Sequence, residues 1–310
     1  MFFTGCCADV VEKLNYKTPK NMLKHFFKIK KNIVSKYGYV ILPFWLKIYP
    51  IFKIMTNKKT RKQNEDAINF YTNNFERVKN VVAMLADEES KNVLLQLIKY
   101  RQRFQKEDFP NSNVENQYFI NEVKFSNNEI FIDCGAYNGD TIDKFIKHCP
   151  NYACIVAFEP DKRNYYDLKK KYGHDKKVIL HNAGCYDYDG EVQFKMIGNA
   201  MSKILFEHDG ITGANICVKS IDNLLLNKVT FIKMDIEGAE LNALKGAQKT
   251  ILRDKPKLAV SIYHSHEEML SIAEFIHALM PEYKLLIRHH GNYPNFGETV
   301  LYAVMSLPFR

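Results

Sequence analysis

The residues best suited to chemistry gather at a few short turns. One runs Ile132-Asp133-Cys134-Gly135-Ala136-Tyr137-Asn138-Gly139-Asp140-Thr141, out of an apolar β-rich run and straight into a helical one. Such a turn sets the free N–H groups of a helix start beside strand ends, where ligands of open α/β sheets collect. Gly135 and Gly139 permit the tight path and a close backbone approach. A dinucleotide fingerprint would place glycines at 135, 137 and 140, but the chain has Gly135, Tyr137 and Asp140. A pyrophosphate would therefore lack its close approach and meet an acid. The acid just before the turn, Asp133, suits a cofactor that is itself positive. S-adenosylmethionine has a sulfonium and an ammonium for Asp133 to face, and a carboxylate for the turn's N–H groups. The next β-rich run ends Phe158-Glu159-Pro160, 26 residues after Asp133. A carboxylate there accepts both ribose hydroxyls, which NAD and S-adenosylmethionine share. A third run ends His181-Asn182-Ala183 and would supply groups near an adenine.

A second set of residues could act on an acceptor. Asp235 and Glu237 follow the run TFIKM, and His264 ends LAVSIYH. A sulfonium already activates its methyl group, so the protein's main task is to align an oxygen with the methyl–sulfur bond. A sugar hydroxyl also needs its proton taken, and a placed base contributes about 10²–10⁴ in rate. His264 has a suitable unperturbed pKa of about 6.5. Asp235 could orient it, or serve as the base itself after desolvation. Glu237 and Glu240 could equally be acids complementing a helix dipole. Asp235, Glu237 and His264 could collect a divalent cation, but their spacing carries no ligand signature that assigns one. His289, His290 and Glu298 are expected on the acceptor side, His266 in solvent, and Gly198-Asn199-Ala200-Met201-Ser202 as a lid or acceptor loop.

The elements that must position these groups are legible from about residue 128. EIFIDCG, CIVAFEP, VILHNAG, TFIKMDIEG and LAVSIYH alternate with helical stretches, the pattern of βαβ units and a mostly parallel sheet. YKLLIRHH and TVLYAVMSL have no helix between them, which predicts an antiparallel C-terminal hairpin at one edge. Upstream, residues 63–108 predict two helices. Val78, Val81, Val82 and Leu85 follow helical spacing, and Leu94, Leu97 and Ile98 repeat it after a charged break at Asp87–Glu89.

The 310 residues are 46% hydrophobic and 25% charged, enough apolar material for a full core and too much for disorder. Their net charge of +9 is uneven. Residues 1–62 hold 14 Lys/Arg against two acids, leaving 30 basic and 33 acidic residues on the rest. The downstream part is therefore no polyanion binder. Residues 20–62 combine lysines with Phe26, Phe27, Phe44, Trp45 and Phe52. This stretch reads either as peripheral contact with an anionic membrane or as a helical cap on the main domain. Tyr39 to Met55 is interrupted by Pro43, Lys47, Pro50 and Lys53, so it does not span a bilayer. Seven cysteines without a CxxC, and a start without a secretory pattern, point to a reducing, cytoplasmic setting. The expected organisation is a basic segment (1–62), a helical accessory region (63–125) and a catalytic α/β domain (126–310).

IDCGAYNGDT, AFEP, IKMDIEGAELNALKGA, SIYH and ETVLYAV resemble the FkbM family of S-adenosylmethionine-dependent methyltransferases. The resemblance covers about residues 115 to 307, and LADEESKNVL and NQYF are similar to a bacterial subgroup. It implies a Rossmann-like, seven-stranded class I methyltransferase fold and O-methylation, often of sugar hydroxyls. It also implies a cofactor pocket at Asp133, Gly135, Gly139, Glu159 and Asn182, within a wall to which Ala136, Tyr137, Thr141 and Asp235 add. The expected activity is transfer of a methyl group to a hydroxyl of a glycan, or of a nucleotide- or lipid-linked precursor, leaving S-adenosylhomocysteine. His264, Asp235 and Glu237 would carry the proton chemistry. An RNA methyltransferase and a non-catalytic membrane scaffold are the alternatives. The acids of Asp235-Ile236-Glu237-Gly238 would repel nucleic-acid phosphates.

Overall fold

The computed structural model describes residues 58–112, 114, 117–196, 202–204 and 214–305. The stretch read as membrane-facing lies outside the described residues up to residue 57, as does the expected lid from Gly198 to Met201. Helices α1 (Lys58–Asn73), α2 (Phe75–Met84) and α3 (Glu88–Arg103) open the described chain, followed by a 3₁₀ turn at Lys106–Asp108. Three helices thus stand where two were expected. The extra break falls at Asn74, whose side-chain amide donates to the Phe70 carbonyl at 2.9 Å while its oxygen accepts from Arg77. An asparagine that bonds its own backbone competes with helix continuation. The charged break is a helix start: Asp87 accepts from the Ser90 N–H at 2.8 Å, Glu88 and Glu89 fill the first turn, and Arg101 and Arg103 the last.

Strands β1 (Ile130–Cys134), β2 (Cys154–Phe158) and β3 (Val178–His181) alternate with α4 (Asp140–His148) and α5 (Lys162–Tyr172). After the short β4 (Gly184–Cys185) come β5 (Gly190–Met196), β6 (Ser202–Ile204) and β7 (Ala214–Lys219), which join it in a separate four-stranded sheet ordered β4-β7-β5-β6. That small sheet was not expected, because its strands are half polar and have no helices between them. Then follow β8 (Phe231–Met234), α6 (Glu240–Lys245), α7 (Gln248–Asp254), β9 (Lys257–Ser261), α8 (Glu268–Leu279), β10 (Tyr283–His289) and β11 (Thr299–Met305). The main sheet runs β10-β11-β9-β8-β1-β2-β3. Five strands are parallel, and β11 is antiparallel to both β9 and β10. This is the expected seven-stranded sheet with its C-terminal hairpin. β1 lies between β8 and β2, so the connections leave it in opposite directions. That reversal opens a crevice at the strands' carboxyl ends.

The central strands read as continuous apolar runs because both faces are covered. On one face Leu94, Leu97 and Ile98 of α3 and Val78 and Val81 of α2 share a core with Ile232, Leu258 and the α8 residues Leu270, Ile272 and Ile276. On the other, Phe131 and Phe231 are cross-strand partners with ring centroids 4.9 Å apart, packed with Phe145. The start of α3 is riveted to the sheet edge. Arg288 Nη2 lies 2.7 Å from Asp87 Oδ2, and the Ile287 N–H donates to Ser90 Oγ at 2.9 Å. His266 is not solvated as expected. Its Nδ1 lies 3.2 Å from the Tyr71 hydroxyl and 3.3 Å from Arg101 Nη1, and its ring stacks on Phe70. Among the described residues no helix is long and apolar enough to cross a membrane.

Because α3 shares its core with the sheet, Leu97→Ala (1% exposed) should destabilise by about 2–5 kcal/mol. Denaturant unfolding followed by near-UV and far-UV signals should show a single shifted transition. Separate transitions would contradict the shared core.

Candidate active site

The crevice holds a cavity of about 800 Å³. Its walls come from the turns after β1, β2, β8 and β9 and from the loop between β10 and β11. The β1 turn presses directly on the β8 turn. A Cβ at Gly135, whose φ is +81°, would stand 2.0 Å from the Asp235 carbonyl oxygen. No other residue fits there.

Glu159 binds the β1 and β2 turns together. Its Oε2 accepts from the Tyr137 N–H at 2.9 Å and its Oε1 from the Asp161 N–H at 2.8 Å. A carboxylate has about four lone-pair sites, so acceptor capacity remains on the cavity side. Burial raises its pKa despite these two donors. Gly135, Tyr137, Thr141 and Glu159 line the cavity as expected residues of a cofactor wall. Ala136 and Gly139 shape the turn from behind: the Ala136 N–H donates to the Phe158 carbonyl, and Gly139 starts α4 with φ +82°. Asn182 does not line the cavity. Its side-chain amide donates to the carbonyls of Glu159 and Pro160 at 2.9 and 3.1 Å, bracing the loop.

Asp133 also departs from expectation. It is fully buried, and Lys233 Nζ lies 3.0 Å from its Oδ1. The same ammonium donates to the Gly135 carbonyl at 2.7 Å and the Cys134 carbonyl at 3.3 Å. Burial raises Asp133 to about 6 against the pull of Lys233. Burial also disfavours the Lys233 charge, but Asp133 and Asp235 outweigh it and hold Lys233 above the ordinary lysine value. Asp133 therefore supports the floor of the cavity instead of facing a ligand. Lys233 was missed in the sequence, although a lysine inside the apolar run FIKM was a visible signal.

At the other end Asp235 and Glu237 line the cavity, and His264 lies behind them with 9% of its side chain exposed. Tyr118 and Tyr263 donate their hydroxyls to Asp235 Oδ2 and Oδ1 at 2.7 and 3.1 Å. Glu240, fully buried, accepts from the Ile236 and Gly238 N–H groups at 2.7 and 2.9 Å, so it holds the turn together as well as starting α6. Burial alone would lower His264, but Glu240 and Asp235 outweigh it and raise its pKa to about 9. Burial lifts Glu237 to about 6, with Asp235, Glu240 and Glu298 adding and His264 opposing. His264 is thus not the near-neutral imidazole that its unperturbed value promised. Asp235, Glu240 and His264 each offer one ligand-type atom within 4.8 Å of the others.

His290 and Glu298 line the cavity, whereas His289 turns away, its Nδ1 3.0 Å from Thr299 Oγ1, with burial lowering it to about 4. Among the described residues seven non-glycines have positive φ, and four of them, Tyr118, Tyr137, Glu237 and Glu298, line this cavity. Each such conformation costs on the order of 1–3 kcal/mol and persists where the surroundings enforce it.

Lys233→Met should destabilise by about 3–5 kcal/mol, because it leaves Asp133 buried without a countercharge. Adding Asp133→Asn should recover part of that loss in urea unfolding. Strictly additive losses would show that the pair is not the cause.

A model of the FkbM methyltransferase domain matches residues 133–292, just over half of the 310-residue chain. The crystal structure of the methyltransferase FkbM from Methylobacillus flagellatus KT is 26% identical, with a TM-score of 0.64. The match covers 76% of this chain and 60% of that one. This chain therefore spans less than two thirds of that relative's length. An rRNA methylase from Streptococcus thermophilus (14% identical, TM-score 0.38, 59% of this chain and 89% of that one) is a weaker match. So is Aeropyrum pernix fibrillarin solved with natively bound S-adenosyl-L-methionine (12%, 0.36, 62% and 74%). At those scores nothing further about this chain follows. No curated protein matches it. The residues fit the cofactor that this fold uses: a carboxylate at the end of β2 keeps free acceptor sites toward a cavity of sufficient size. On the domain match, the sheet order and this cavity, the chain belongs to the FkbM family of S-adenosylmethionine-dependent methyltransferases.

Proposed function

We propose that this chain is an O-methyltransferase acting on a hydroxyl of a carbohydrate acceptor. When bound, S-adenosylmethionine supplies a methyl group already activated by its sulfonium. Glu159 would hold the ribose diol, and Asp140, which lines the wall in place of the buried Asp133, would face the positive end.

The observation that carries the acceptor assignment is the chemistry of the far end of the cavity. Gln117, Tyr263, Asn292, Asn295 and Glu298 offer uncharged amides, a phenol and a carboxylate, a set suited to polyhydroxylated ligands. Lys233 is the only lysine or arginine lining the cavity among the described residues, and it is already engaged by Asp133 and two carbonyls. A phosphate would meet Asp235, Glu237 and Glu298 with no free cation to receive it. An RNA substrate is disfavoured for that reason, and a nucleotide-linked sugar would keep its phosphates outside. Aligning the acceptor oxygen is the work of these walls. Activating its hydroxyl falls to the Asp235–Glu237–His264 group, which adjoins that end and is oriented by Tyr118 and Tyr263. The described cysteines are all free thiols, which fits a reducing cytoplasm.

Calorimetry on the purified chain should show binding of S-adenosylmethionine and S-adenosylhomocysteine but not of NAD. Glu159→Ala should weaken S-adenosylhomocysteine about tenfold or more, the loss of a charged hydrogen-bond acceptor. Asp235→Asn should leave that affinity within about threefold yet lower methyl transfer to a sugar acceptor by about 10²–10⁴. Equal loss of cofactor affinity in both variants would move Asp235 to the cofactor site. Transfer to RNA but to none of a sugar panel would overturn the acceptor class.

A further inference from the structure

Two cysteines from different sheets meet beside the cavity floor. Cys134 ends β1 in the main sheet, and Cys185 belongs to β4 in the small one. They are 51 residues apart in sequence, so only the tertiary fold brings them together. Their sulfur atoms stand 2.8 Å apart, and both residues are buried. Carbon atoms in contact rest about 3.5–4.0 Å apart, and sulfur is the larger atom. The thiols are thus closer than packing alone would set them. A disulfide bond is about 2.03–2.05 Å long, so closing the gap needs a movement of less than about 1 Å.

The two sulfurs differ in access. Of the pair, Cys185 lines the cavity and Cys134 does not. A small oxidant that enters the cavity therefore meets the Cys185 sulfur first. Exchange with a bulky disulfide needs access that so enclosed a sulfur lacks. The thiolate is the reactive form of a cysteine. Burial, Cys134 and Asp133 push the Cys185 thiol well above the ordinary cysteine range, against the pull of Lys233. The pair therefore stays reduced until a small oxidant is sustained, and Lys233 is the countercharge at hand when the thiolate forms.

We propose that Cys134 and Cys185 are an oxidation site, converted by a small peroxide to a disulfide that joins the two sheets, and that a nucleoside in the cavity blocks the conversion; the blocking rests on reading the cavity as the S-adenosylmethionine site. The Cys185 thiol gives up its proton and its sulfur bonds to one oxygen of hydrogen peroxide. The O–O bond breaks, and the departing oxygen takes that proton and leaves as water. The Cys134 sulfur then bonds to the Cys185 sulfur as the S–OH bond breaks. The hydroxyl leaves with the Cys134 proton as a second water. Each sulfur loses one electron, and the peroxide gains two.

Mass spectrometry on the full chain tests this, after hydrogen peroxide treatment, unfolding in N-ethylmaleimide and digestion with trypsin. Tryptic peptides 125–144 and 178–195 contain one cysteine each, Cys134 and Cys185. They should appear joined, lighter than their sum by two hydrogens (about 2 Da), and should separate on reduction. Cys185→Ala should abolish the joined species. S-adenosylhomocysteine at about ten times its Kd should slow its formation about tenfold, because only the empty fraction reacts. No joined peptide under conditions that oxidise the exposed Cys217 would overturn the proposal. An unchanged rate with a nucleoside that calorimetry shows to be bound would overturn the blocking. A nucleoside that does not bind at all would defeat the cofactor reading, while the joined peptide would still establish the pair.

Discussion

The site depends on two turns meeting without room for a methyl group. The turn after β1 lies so close to the Asp235 carbonyl that only a glycine fits at 135. Lys233 locks the contact from below, sharing its ammonium between the buried Asp133 and the carbonyls of residues 134 and 135. A charge this deeply buried is tolerated only when it is paired and hydrogen-bonded. Its three partners all belong to the β1 end, so the pair holds β8 and β1 in one arrangement. Two cavity walls are referred to that floor: Glu159 is tied to it through Tyr137, and the Asp235 carbonyl lies against Gly135.

Charge is distributed unevenly over this frame. Lys233 neutralises Asp133 inside the floor, while Asp140, Glu159, Asp235, Glu237 and Glu298 all reach the cavity wall. Such a surface welcomes a sulfonium and neutral hydroxyls and repels phosphates. The mutual repulsion of Asp235, Glu237 and Glu240 is partly relieved by His264, which Glu240, Asp235 and Glu268 hold above the ordinary histidine range. Four residues with left-handed backbone line the same space. Conformational strain and unbalanced charge therefore both collect around this cavity. That concentration is characteristic of sites shaped by function.

Some features were legible in advance because they are local. The alternation of apolar strands with helices from residue 128 produced the parallel sheet, and the missing helix between YKLLIRHH and TVLYAVMSL marked the hairpin. Gly135, Glu159, Asp235 and Glu237 each follow a strand, and all four reach one cavity because parallel strands end on one side of the sheet. The small sheet of β4 to β7 was not legible, since its strands are half polar and no helix alternates with them. Nor was the break at Asn74, where one side chain outcompeted an unbroken helical pattern.

Fold class, nucleoside cofactor and the strand ends around it could be read locally, because strand and helix periodicities and turn residues act over a few positions. Which acids face a ligand depends on long-range packing. Asp133 and Asp235 look alike in sequence, each at the end of a β-rich run, yet one lies against Lys233 in the floor and the other opens to the cavity. The roles of Tyr118, Tyr263 and Glu240, and the geometry around His264, were likewise out of reach. They depend on side chains brought together from distant parts of the chain.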